Sequence, residues 1–108
     1  MCTFDILASS PQGYIARCNQ CRNLEIAFGT SLAFLPDRRL EDFLFYIRDM
    51  LPDANQVNPT QKKIILNLAS TEALQMILTP SELHQLFDLL DRALDEMRAR
   101  SILNLFNA

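Results

Sequence analysis

Three cysteines, Cys2, Cys18 and Cys21, and a single histidine, His84, carry most of the chemistry available to this 108-residue chain. Only Asn19 and Gln20 separate Cys18 from Cys21. That spacing lets two thiolates converge on one tetrahedral ion. It is also the spacing of a redox dithiol, but in that chemistry the motif opens a helix. Here the following segment, RNLEIAFGT, alternates apolar and polar residues and predicts a strand. A strand context favours half of a zinc knuckle over dithiol catalysis. Cys2 is the third ligand candidate. If an N-terminal hairpin turns near Ser10, Leu7 faces Gly13 and Cys2 faces Cys18. His84 is a formal fourth ligand, although nothing in the sequence brings it near the thiols. Cysteine also serves as a small buried hydrophobe. Bound zinc, structural thiols and a thiol redox sensor therefore stay open, and no other cofactor is expected.

No catalytic constellation accompanies these residues. His84 has Asp88 four residues on but no oriented nucleophile. Ser9, Ser10, Ser70 and Thr71 lie in turns without a nucleophile-elbow context. Asp88, Asp91, Asp95 and Glu96 read as the wet face of a helix. Gly13 and Gly29 are the only glycines, too few for a glycine-rich phosphate loop. A net charge of −3 and a pI near 5.0 argue against a nucleic-acid partner, whose phosphates call for a basic surface. No apolar run approaches a membrane span, and the N-terminus lacks the basic and apolar regions of an export signal. The expected setting is the reducing cytoplasm.

The elements that must position these residues follow from periodicity. Thr3 to Leu7 and Tyr14 to Arg17 predict an N-terminal hairpin around a Ser-Ser-Pro-Gln-Gly turn. Leu24, Ile26 and Phe28, then Leu32 and Phe34, predict a second hairpin turning at Gly29-Thr30. Pro36-Asp37 opens a helix whose stripe is Leu40, Phe43, Leu44, Ile47 and Leu51, with Pro52 as its stop. Residues 52–62 form a polar connection. Ile64, Leu66 and Leu68, a turn over 69–72, and Leu74, Met76 and Leu78 predict a third hairpin. Thr79-Pro80-Ser81-Glu82 is a capping box. It starts a long helix with the stripe Leu83, Leu86, Phe87, Leu90, Leu94 and Met97.

The two helices repeat each other. The first helical stripe matches the second at an offset of 43 residues, and the preceding strands match at an offset of 40. Residues 23–51 and 64–94 therefore read as one strand–strand–helix unit used twice. The expected fold is a single α+β domain over residues 1–108. It has an antiparallel sheet of about six strands and two helices on one face.

The C-terminal SILNLFNA places Ile102, Leu103, Leu105 and Phe106 beyond the stretch that packs on a sheet of this size. Phe45, Tyr46 and Leu89 also fall beside the main stripes. Apolar surface in excess of a core marks an interface, so the expected partner is a second copy of the chain or another protein. The alternative is a tail that folds back on its own core.

Gly13-Tyr14, Cys18-x-x-Cys21 and Ala27-Phe28-Gly29-Thr30, in that order, resemble a family of small uncharacterised bacterial proteins. Those proteins share a GY strand, a CxxC-type pair and an FGT hairpin leading to a helix. The resemblance covers the first half of the chain more closely than the second. It implies a bacterial cytoplasmic setting and no particular activity. Three readings result: a non-enzymatic interaction or homo-oligomerisation module, a small structural-zinc domain using Cys2, Cys18 and Cys21, and a thiol-based redox sensor.

Overall fold

A computed structural model describes residues 3–54, 60–61, 64–67 and 75–107. Four strands follow one another: β1 (Phe4–Ser10), β2 (Gly13–Cys18), β3 (Asn23–Phe28) and β4 (Ser31–Pro36). They pair in sequence order as an antiparallel meander. A 3-10 turn (Asp37–Arg39) leads into α1 (Leu40–Ala54). A second antiparallel pair, β5 (Ile64–Asn67) and β6 (Gln75–Leu78), precedes α2 (Pro80–Asn107). All six expected strand positions are thus strands, but they form a four-stranded and a two-stranded sheet instead of one ladder. Leu68, the turn over 69–72, Leu74 and most of the 52–62 connection lie outside the described residues.

The N-terminal hairpin has a different register from the expected one. Ser10 pairs with Gly13, and a bulge between Ile6 and Ala8 shifts the ladder, so Phe4 stands opposite Cys18 where Cys2 was expected. The turn is centred on Pro11-Gln12 and not on Ser10, which moves the position facing Cys18 three residues along β1, from Cys2 to Asp5, and the bulge takes one of these back, to Phe4.

Pleating sorts the sheet into two faces. Ile15, Leu24, Ile26, Phe28, Ala33 and Leu35 point inward and are buried. Leu40, Phe43, Leu44 and Ile47 from α1 meet them, as do Leu83, Leu86, Leu89, Leu90 and Ala93 from α2. Leu66, Met76 and Leu78 of the second hairpin belong to the same buried cluster. Leu89 is fully buried, which corrects its expected place beside the stripe. At position 89 the helix faces β1, so its apolar arc is wider than the Leu83–Leu90 seam.

The helix ends match their local chemistry. Glu82 N–H donates to Thr79 Oγ1 at 3.0 Å, and Thr79 N–H donates to Glu82 Oε1 at 2.9 Å. Pro52 does not stop α1, which continues to Ala54. A proline in the final turn forfeits only one carbonyl bond, to Arg48, and little helix follows it to be disrupted.

Contacts orient α2. Arg92 reaches the Ser9 carbonyl at 3.3 Å and Arg100 the Ile6 carbonyl at 3.2 Å, so α2 runs antiparallel to β1. Arg98 pairs with Glu41 near the start of α1, while Arg48 lies over the Phe87 ring, so the helices are antiparallel too. The carboxyl end of α2, the start of β1 and the Cys18–Cys21 turn consequently share one end of the molecule.

Candidate functional site

Cys18 closes β2 with its side chain fully buried, and Cys21 is exposed in the turn that follows. The backbone amides of Gln20 and Cys21 both point at Cys18 Sγ, each at 3.4 Å. Arg22 N–H donates to the Cys18 carbonyl at 3.1 Å and closes the turn. Arg22 then takes a left-handed conformation, φ 63°. For an L-residue with a long side chain this costs roughly 1 kcal/mol. The neighbours hold it there. Asp37 N–H donates to the Arg22 carbonyl at 3.0 Å, and Arg22 Nε lies 3.1 Å from Asp37 Oδ2. Arg17 approaches the same carboxylate at 3.8 Å. Asp37 therefore anchors both arginines that flank the thiols.

Of the three expected metal ligands, Cys18 and Cys21 share this turn, and Cys2 lies outside the described residues. His84 sits at the other end of α2, sixteen residues before Arg100, which at 1.5 Å per residue is roughly 24 Å away. It is not part of this constellation. Among the described residues no group of three or more His, Cys, Asp or Glu side chains is placed to hold a metal.

The four expected interface residues form the last two turns of α2. Past Arg100, every side chain from Ser101 to Phe106 is exposed, with Ile102 and Leu103 more than half exposed, Leu105 at 79% and Phe106 at 83%. Arg100 is the last anchored position: it bonds Glu96 at 2.8 Å and approaches Asp5 at 4.0 Å. Up to this point the solvent side of α2 is polar, with Asp88, Arg92 and Asp95 exposed. By helical spacing Ile102, Leu103 and Phe106 continue that same side. The back of the helix therefore changes from charged to apolar over its final turns.

A second apolar surface was not anticipated. The outer face of the four-stranded sheet displays Phe4 and Ile6 from β1 and Leu32 and Phe34 from β4, between 37% and 54% exposed. Tyr14 and Glu25 sit between these pairs, and the Tyr14 hydroxyl donates to Glu25 Oε1 at 2.9 Å. That bond raises the Tyr14 pKa above the ordinary 10.0, as do burial and the Glu25 charge. The sequence held a signal for this face. SLAFLP is apolar at both parities, and a strand solvated on one face alternates.

Two clefts lie on the described surface. One of about 210 Å³ lies between the helices, lined by Glu41, Phe45, Arg48 and Asp91. The other, of about 170 Å³, lies between the Gly29 turn and β6. Both fall below the roughly 300 Å³ at which small-molecule sites begin. Phe45 is half exposed, with Arg48 stacked 5.1 Å from its ring centroid.

The family model that matches the chain spans residues 1–107 and describes a family of unknown function (DUF6686). No curated protein and no solved structure matches.

Proposed function

The chain belongs to this family of unknown function, and from that premise we propose that it is a non-enzymatic module that pairs with a second copy of itself. The observation that carries this reading is the apolar, exposed end of α2. A fully exposed large apolar side chain presents about 200 Å². On that scale the tail residues offer roughly 550 Å² and the four sheet-face residues roughly 400 Å². Each partner in a standard dimer contributes about 800 Å². Neither patch meets that figure alone, and the two together do. The pairing inferred is reciprocal, each tail covering the outer sheet face of the other copy, as two-fold symmetry requires.

The expected solution behaviour is a concentration-dependent dimer by sedimentation and light scattering. Phe34→Lys on the sheet face should shift it to monomer with the melting temperature of the chain unchanged. A strict monomer at high micromolar concentration would refute the pairing. The acidic net charge supports a protein partner over nucleic acid. Among the described residues no helix is long and apolar enough to cross a membrane.

We further infer that the fold arose by duplication of a strand–strand–helix unit within a single domain. β3–β4–α1 and β5–β6–α2 have the same element order. At an offset of 43, buried Leu35, Leu40, Phe43 and Ile47 match buried Leu78, Leu83, Leu86 and Leu90. The first unit gained the β1–β2 hairpin and its cysteine turn, and the second gained the long apolar helix end.

A further inference from the structure

We propose that the turn from Cys18 to Arg22 is a metal-binding knuckle in which Cys18 and Cys21 supply two thiolates to one thiophilic divalent ion, in the first instance zinc. This inference is independent of self-association. Three observations carry it.

The first is the pair of amides aimed at Cys18 Sγ, both at 3.4 Å. A neutral thiol is a weak acceptor, whereas amide donors stabilise a sulfur that bears charge. Two of them converging on one sulfur is the arrangement expected of a thiolate ligand.

The second is reach. With Zn–S near 2.3 Å, two sulfurs on a tetrahedral ion stand roughly 3.8 Å apart. The amide of Cys21 is already 3.4 Å from Cys18 Sγ, so the turn holds the backbone of the exposed second cysteine beside the first sulfur. Burial of Cys18 shields one side of the site from water, and the ion enters from the Cys21 side.

The third is the backbone and charge around the turn. The left-handed Arg22 reverses the chain directly after the second cysteine, and Asp37 locks it through both backbone and side chain. A turn that must present two sulfurs at fixed separation needs such rigidity. Arg17 and Arg22, the residues that flank the two cysteines in the chain, are both paired with Asp37.

On binding, each thiol gives its proton to solvent as its sulfur takes the ion, so two protons leave for these two ligands and uptake weakens as pH falls. Two further positions complete a tetrahedron. Cys2 is the third thiolate this chain can offer, and water can fill what remains.

The test is cobalt(II) titration of the full, reduced chain, followed by its thiolate charge-transfer and tetrahedral ligand-field absorption, with zinc displacing the cobalt. One ion per chain is expected. Cys18→Ser and Cys21→Ser should each weaken uptake at least 100-fold, and Cys2→Ser should lower the thiolate band without abolishing it. Because Cys18 is buried and its variant can fail to fold, the exposed Cys21→Ser, checked for an unchanged melt, is decisive. Absence of a thiolate band under excess cobalt, uptake that survives Cys21→Ser, or uptake that needs Cys2 and not Cys21 would each overturn the assignment.

Discussion

Phe106 is 83% exposed within a single chain, so its contribution to folding is small, and the proposed pairing assigns it a large contribution to association. Truncating it to alanine removes an aromatic ring that touches little of its own core. The stability of the isolated chain should therefore move by less than about 0.5 kcal/mol, as for other surface substitutions. In the proposed reciprocal dimer the same ring would be buried against the sheet face of the partner. A buried aromatic anchor is worth about 2 kcal/mol or more when truncated. Two-fold symmetry presents the contact twice, so Phe106→Ala should cost about 4 kcal/mol in association, roughly a 1000-fold rise in the dissociation constant. Sedimentation equilibrium over a broad concentration range reads that constant, and a thermal melt of the dilute monomer reads folding. A change below tenfold in dissociation, or a fall in monomer stability matching the loss of pairing, would refute the reasoning. The second result would mean that the tail docks on its own core.

Other expectations test the scaffold that holds these surfaces. A Cβ built at Gly13 would lie 1.9 Å from the Ala27 carbonyl oxygen on the neighbouring strand, so Gly13→Ala should destabilise by about 3 kcal/mol and lower the melting temperature by about 13 °C. Gly29→Ala meets open space but keeps a φ of 59°, so its penalty should be nearer 1 kcal/mol; equal melts for the two variants would contradict the geometry. Thr79→Ala removes one arm of the capping box and should cost about 1 kcal/mol in urea denaturation, and no change would mean that the amide finds another acceptor. The raised pKa of Tyr14 means the folded chain holds that proton more tightly than the unfolded one. Its contribution is full below pH 10 and declines as pH rises through the raised value. Tyr14→Phe should remove that part of the alkaline loss, and parallel stability curves for the two chains would refute the coupling.

Much of this architecture was legible because the relevant interactions are local. The Thr79–Glu82 box, the Gly29 turn and the Leu40–Ile47 stripe each depend on residues a few positions apart. What escaped was set by accumulated offsets and by strand neighbours. The Pro11-Gln12 turn moved the register by three residues and one bulged residue near Leu7 took one back, so Phe4 came to stand opposite Cys18. The division of six strands between two sheets depends on edge pairing, which apolar alternation leaves undefined. Pro52 leaves α1 intact because a helix breaker acts fully only when helix follows it. For the cysteines, the two-residue spacing was visible. The paired amides on Cys18 and the left-handed Arg22 were not, because both arise from the closed turn and its anchor fifteen residues away at Asp37.

The length of α2 has a consequence for how its exposed end meets a partner. An isolated segment as short as residues 101–107 would be mostly unfolded in water, because the first turn of a helix is costly to nucleate. Here more than five turns are already held against the sheet, and Arg100 fastens the last of them to β1. The apolar end grows from a finished template, so each added residue needs only propagation. Little chain entropy remains to be lost when it docks, and the affinity of an encounter depends mainly on the fit of the surfaces.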